Sequence, residues 1–301
     1  MTVNVDLMEQ SDLEQLEQLE IPRSPTALAA RTLWHHRSGM IGLTIILVML
    51  LIAIFASELA PFDPLEMHAE DRFSSPAAPY YLGTDEFGRD ILSRILIGSR
   101  VAFTVGLVSV GISTIIGVSI GLIAGYTGGK FDSVVMRFFD ALLAFPAILL
   151  AIIILAVLGP GSFNAILAIA IVTTPAFARL TRANVLVEKS KTYVEVSISV
   201  GAKSSRIMSR HILPNVSSTV FVQITIAMAS AILLESALSF LGLGTPLPAP
   251  SWGSMLSIGR GFMHVAPWYS IFPGLAIMIL IMGFYLLGDG LRDALDPRRR
   301  K

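Results

Sequence analysis

At 301 residues, 53% of them hydrophobic and 15% charged, the chain carries more apolar side chains than a soluble core of its size can bury, and its mean hydropathy is +0.70. Twenty-two basic residues balance twenty-two acidic ones, so net charge offers no reason to expect nucleic acid, and the absence of cysteine excludes thiolate chemistry, disulfides and cysteine metal sites. The surplus apolar surface must face lipid.

The first twenty residues hold six acids (Asp6, Glu9, Asp12, Glu14, Glu17, Glu20), no Lys or Arg, and no apolar segment, so no cleavable signal is expected. They read as a solvated tail, with Leu13, Leu16 and Leu19 spaced for a short amphipathic helix. Crossing a hydrocarbon layer of about 30 Å takes roughly 20 apolar residues as helix, because every backbone polar group must be satisfied within the segment. Six stretches qualify: Gly39 to Ala60, Val101 to Tyr126, Ala141 to Leu158, Phe163 to Leu180, Val216 to Leu241 and Trp268 to Leu287. Only Gly159, Pro160, Gly161 and Ser162 separate the third from the fourth, which predicts a tight hairpin.

Along the second stretch Ser109, Ser113, Gly117, Gly121 and Gly125 recur every fourth residue, a stripe that lets another helix approach backbone to backbone. Its partner is a helix of this chain or of a second subunit. Seventeen Lys and Arg residues fall on one side of the six spans and five on the other, which places both termini in the cytoplasm. The expected class is therefore all-α, a polytopic membrane protein with six transmembrane helices. Glu235 lies inside the fifth span, where a charge is costly; it either lines a translocation path or relays protons, or is protonated or hydrogen-bonded to a neighbouring helix. Glu58 reads as an outer-interface residue, and His35 and His36 beside Arg37 as solvated interfacial residues; no clustered His or carboxylates complete a metal site with them.

The most informative segment is the basic cytoplasmic loop between spans four and five, with seven positive residues from Arg179 to Arg210. Within KTYVEVSISVGAKSSRIMSRHILPN, Thr192 and Glu195 have the spacing of a capping box, and Gly201 stands where a helix from Tyr193 to Val200 needs a left-handed residue. The alternation of Val194, Val196, Ile198 and Val200 is that of a strand, which is rejected because a lone strand leaves both edges unpaired. A second helical stretch, with Arg206 and Arg210 on one face, is expected to end or kink at Pro214.

This segment resembles the EAA loop of ABC-importer permeases: Glu195, two small or apolar residues, Gly201 six positions on, and Leu213-Pro214. Val196 and Ser197 replace the usual alanines, and RHILPN (Arg210 to Asn215) is similar to the peptide-permease branch. LGTDEFGRDILSRILIGSR, SFLGLGTPLPAPSWGSML and LLGDGLRDALDP likewise resemble blocks of the dipeptide, oligopeptide, nickel and glutathione permeases, in the order of the second, C-type permease. The resemblance implies a type I importer permease fold in the bacterial inner membrane and transport of peptides or similar solutes such as glutathione, an opine or nickel. It also implies a coupling role for Thr192, Tyr193, Glu195, Gly201, Ala202, Arg210 and Pro214, with a second permease, two ATPases and an extracytoplasmic binding protein as partners. No cofactor is expected on this chain; ATP and Mg would sit on the ATPases, since the chain has no GxxxxGK[ST]. A secondary transporter is disfavoured by the absence of an inverted repeat, and an intramembrane protease by the absence of a catalytic constellation in the spans.

The implied organisation is a polar tail at 1–30, a first helix with an extracytoplasmic segment and interfacial helix at 31–100, and a core at 101–298 containing the coupling loop at about 181–215. In LGTDEFGRDILSRILIGSR, Asp85, Glu86, Arg89, Asp90 and Arg94 are spaced to pair on a helix surface, which predicts an interfacial helix before the second span. In SFLGLGTPLPAPSWGSML, the prolines of TPLPAPSW predict a rigid extracytoplasmic turn, either a contact for a binding protein or a plug between helices. Asp289, Arg292, Asp293 and Asp296, followed by four basic residues, predict a cytoplasmic helix end near anionic headgroups.

Overall fold

The computed structural model describes residues 36–295; the acidic tail, His35 and the basic cluster after Asp296 lie outside the described residues. It is a bundle of helices with no strand among the described residues; two isolated bridges, Ala77 with Tyr80 and Thr84 with Asp90, pin one loop. The helices are α1 (Arg37–Ile54), α2 (Ile91–Thr127), α3 (Gly129–Leu143), α4 (Ala147–Leu158), α5 (Ser162–Lys189), α6 (Thr192–Ser199), α7 (Ser204–Phe240), α8 (Trp252–Gly259) and α9 (Trp268–Leu295). Five are long and apolar enough to cross a membrane: α1, α2, α5, α7 and α9.

The third span differs from the sequence expectation. Instead of one helix from Ala141 to Leu158, α3 and α4 form a pair bent by 95°. Pro146 explains the break, since it has no N–H to donate and its ring clashes with the preceding turn. Charge hid the true length of the other helices. α5 continues past Leu180 to Lys189 because Arg182 pairs with Asp132 of α3 through both carboxylate oxygens (2.6 Å for the second contact), and Arg179 pairs with Asp140.

The small-residue stripe packs against α5 of the same chain. A Cβ added to Gly117 would lie 2.6 Å from the Phe177 Cβ, and one on Gly125 would lie 2.9 Å from the Val185 Cβ. Ser109 and Ser113 are buried and return their hydroxyls to their own helix, at Val105 O (2.6 Å) and Val110 O (3.1 Å). α1 leans on α9 in the same way, with Gly42 beside the Leu287 backbone. His36 caps α1 by accepting from Gly39 N at 3.3 Å and meets Asp293 of α9 at 3.0 Å, so it is half-buried and engaged rather than simply solvated.

At the end of the bundle opposite α6, residues 60–90 fold over the helix ends. The predicted interfacial helix is not a separate element: helix begins at Ile91, capped by Asp90, and runs on as α2. Asp85, Glu86 and Arg89 stand in the preceding loop, buried rather than on a helix surface. Arg89 reaches Asp85 at 2.6 Å and Glu86 at 3.2 Å, while the fully buried Arg94 lies 3.5 Å from Asp85 and donates to Pro64 O at 3.0 Å. Burial and the bond to Asp71 push the Tyr80 phenol in this cap up to about 12. Trp268 donates to Thr84 O at 3.3 Å, tying the cap to α9.

Candidate functional site

The loop between α5 and α7 is built around α6. The helix begins one residue earlier than its sequence suggests: Lys191, in extended backbone, is the N-cap, and no side chain caps the helix. Thr192 is therefore already helical and the expected capping box with Glu195 does not form. At the other end Gly201 adopts φ +79°, with its N–H donating to Ile198 O at 2.9 Å and the Ala202 N–H donating to Ser197 O at 3.0 Å. This pair of bonds satisfies the last carbonyls and reverses the chain at the one position where a side chain would be strained.

One side of α6 holds the loop to the bundle. Val194 is fully buried in the main core, which also contains Val185, Ile207, Ile212 and Val216, with Tyr193 and Ala202 packed at its edge. The Tyr193 hydroxyl donates to Glu188 Oε2 at 2.7 Å and accepts from Asn215 Nδ2 at 3.3 Å, linking α5, α6 and α7. Burial, and then the bond to Glu188, push its phenol up to about 12, so it stays a donor at any physiological pH. Glu188 also pairs with Lys191, and Lys189 donates to Tyr126 O at 2.6 Å.

Beyond that contact α6 is open. Val196 and the C-cap Val200, one turn apart, are 56% and 77% exposed, Ile198, on the Val194 side but one turn nearer the helix end, is 51% exposed, and Glu195 is exposed beside them. Three open aliphatic side chains on an eight-residue helix and its C-cap form an arrangement that water disfavours and a partner surface would cover. Arg206 and Arg210, one turn apart and both exposed, add positive charge to the same loop.

α7 carries this loop into the bundle. Pro214 does not end the helix: α7 passes through it after a π-helical turn, Met208–Ile212, closed by Leu213 N donating to Met208 O. The wider turn accommodates a residue with no amide to offer.

Glu235, near the far end of α7, is only 2% exposed. It accepts from Ser239 at 2.7 Å and Ser236 at 3.4 Å, while Thr245 N donates to the Ser239 hydroxyl at 3.3 Å. It thus sits in a polar chain that holds the proline-rich turn. After that turn Ser251 caps α8 in a capping box with Ser254, and Trp252, buried, donates to Ile95 O at 3.0 Å as a plug between helices. His68, Glu70 and Asp71, near neighbours in the sequence that its reading did not single out, bring ligand-type atoms within 4.8 Å of one another; Asp71 is engaged by the Tyr80 hydroxyl at 2.9 Å.

Residues 117–301 match the family described as binding-protein-dependent transport system inner membrane component, and residues 24–79 match the N-terminal transmembrane domain of oligopeptide transport permease C. A dipeptide transport system permease protein of Alkalihalophilus pseudofirmus is 45% identical over 92% of this chain and 91% of its own length. The glutathione transport system permease protein of Pectobacterium atrosepticum is 45% identical over 89% of each chain. Among solved structures, an inward-facing MetNI methionine ABC transporter chain superposes with a TM-score of 0.56 at 18% identity, covering 67% of this chain and 96% of that one.

Proposed function

The chain belongs to the family of binding-protein-dependent transport system inner membrane components, and from that premise we propose that it forms half of the path by which an ABC importer brings short peptides into the cytoplasm. It is a multi-pass permease subunit of the inner membrane that works with permease, ATPase and binding-protein partners. Peptide is favoured as cargo because relatives of equal identity are named for dipeptides and for glutathione, itself a short chain of amides ending in carboxylates. The assembly we infer has one homologous second permease, two ATPase subunits that bind ATP and Mg, and one extracytoplasmic binding protein. Both termini and α6 then face the cytoplasm, in keeping with the charge asymmetry.

The observation that carries the mechanism is the group of exposed aliphatic side chains at the C-terminal end of α6. Val196, Ile198 and Val200 dock in a groove of an ATPase, and Glu195, Arg206 and Arg210 orient the contact through charge. Closure of the two ATPases on ATP pushes α6. The Tyr193–Glu188–Asn215 bonds pass that displacement to α5 and α7, and α7, a continuous helix from Ser204 to Phe240, carries it to the Glu235 network and the outer turn. Glu235 acts there as a structural anchor of the mouth. Purification of the tagged chain from native membranes in mild detergent tests the assembly. Recovery of ATPase and second-permease chains is expected, and a chain that purifies alone and moves solute without ATP would refute it.

A further inference from the structure

The bend between α3 and α4 places irregular backbone where lipid does not tolerate it. α4 has 12 residues, about 18 Å of helix against about 30 Å of hydrocarbon. One end is fixed by the hairpin, where Gly159 (φ +86°) turns the chain into α5, so the elbow at residues 144–146 lies no more than about 18 Å along the bundle from that hairpin. Arg179, which pairs with Asp140 just before the elbow, is about 26 Å down α5 from Ser162. The elbow is therefore inside the apolar layer, short of the far interface.

Its backbone is open at that depth. Pro146 is the N-cap of α4 and supplies no capping side chain, and the N–H groups of Ala147, Ile148 and Leu149 have no acceptor among the described residues. Ala144, Phe145, Pro146 and Ala147 are all exposed. Unpaired amides at membrane depth persist only where protein covers them or water reaches them. A dry contact with a second subunit would have to bring three matched acceptors, whereas water satisfies the amides without any. No charged side chain occurs from Ala141 to Leu158, so the surface around the elbow repels neither sign of solute. The exposed apolar residues Leu51 and Ile115 stand instead on unbroken helices, which lipid accommodates.

We propose that the elbow Ala144–Ala147 lines the water-filled translocation path of the assembled importer. The proposal rests on the importer reading above. The chain contains no cysteine, so single variants report cleanly. Ala144→Cys, Phe145→Cys and Ala147→Cys are made in the complex in membrane vesicles, with Leu51→Cys and Ile115→Cys as lipid-facing references. Each is treated with a charged, membrane-impermeant methanethiosulfonate in nucleotide-free and ATP–vanadate states, and the faster rate of labelling of this chain is read. A thiol needs water to ionise and react, so elbow positions are expected to label roughly tenfold or more faster than the references. Elbow rates no greater than the references, with ATPase and second permease recovered from the same vesicles, overturn the elbow assignment alone. Absence of those partners overturns the importer reading and this proposal with it. Ala144→Cys and Ala147→Cys barely change side-chain size, so the outcome does not depend on tolerance at Phe145.

Discussion

Gly121→Ala tests whether the contact between α2 and α5 is as close as the structure draws it. The added Cβ would stand 2.4 Å from the carbonyl oxygen of Ala178 and 2.9 Å from the Thr181 Cβ. The first of these is backbone, and both residues are fully buried, so relief requires α5 to shift as a unit. Overpacking of this kind costs about 1–3 kcal/mol, while the better helix propensity of alanine returns about 1 kcal/mol. Gly111 lies on the same helix, and a Cβ added there would meet nothing within 4 Å, so Gly111→Ala keeps the propensity gain without the clash. The difference between the two variants isolates packing, and Gly121→Ala is expected to be less stable than Gly111→Ala by about 1–3 kcal/mol. The assay is unfolding of the purified chain in mixed micelles by titration with sodium dodecyl sulfate, followed by circular dichroism. If Gly121→Ala matches or exceeds Gly111→Ala in stability, the helices are not in backbone contact and the packing argument fails.

Val200→Glu places a charge on the exposed end of α6 and is expected to leave membrane insertion and yield unchanged while reducing co-purified ATPase, measured by quantitative mass spectrometry. Gly201→Ala should destabilise the loop by about 1 kcal/mol through backbone strain alone, because no atom lies within 4 Å of the new methyl, and Gly201→Asn should cost less, since Asn tolerates left-handed backbone; protease nicking of the loop reads both. Arg182→Ala strands the buried carboxylate of Asp132 and should cost about 1–3 kcal/mol, with Asp132→Ala in the Arg182→Ala background recovering part of the loss in thermal melts. The phenol of Tyr193 ionises at about 12 against an ordinary 10.0. A group raised in this way keeps its contribution intact below pH 10 and loses it as pH rises to about 12, so the melting temperature of the wild-type chain should fall over that window more steeply than that of Tyr193→Phe.

The apolar stretches and the α6 turn are legible in the sequence because they rest on local rules: hydrocarbon thickness sets span length, and only a residue tolerant of positive φ closes a helix as Gly201 does. The break at Pro146 is also a local signal, but an uninterrupted hydropathy average runs straight across it. Extended helix ends escape the same average, since Arg179 and Arg182 look like loop residues until Asp140 and Asp132, about forty to fifty positions away, are seen to neutralise them. The spacing of Asp85, Arg89 and Arg94 correctly suggests ion pairs but not their place: burial in a loop is decided by the cap folding over the helix ends, where Trp268 and Pro64 supply partners from distant sequence. In the loop between α5 and α7, the glycine and the apolar alternation are visible in the sequence, whereas the Tyr193–Glu188–Asn215 bonds and the π turn that carries Pro214 depend on the packed helices.

The central claim, that ATP hydrolysis by a partner drives peptide movement through this subunit by way of α6, is tested most directly by uptake of a radiolabelled dipeptide into proteoliposomes. These contain the purified complex with its binding protein outside and ATP inside. The account predicts accumulation that requires both ATP and the binding protein and is lost in Val200→Glu although that chain is present in the membrane. Uptake that proceeds without ATP, or that survives Val200→Glu at the wild-type rate, would contradict it.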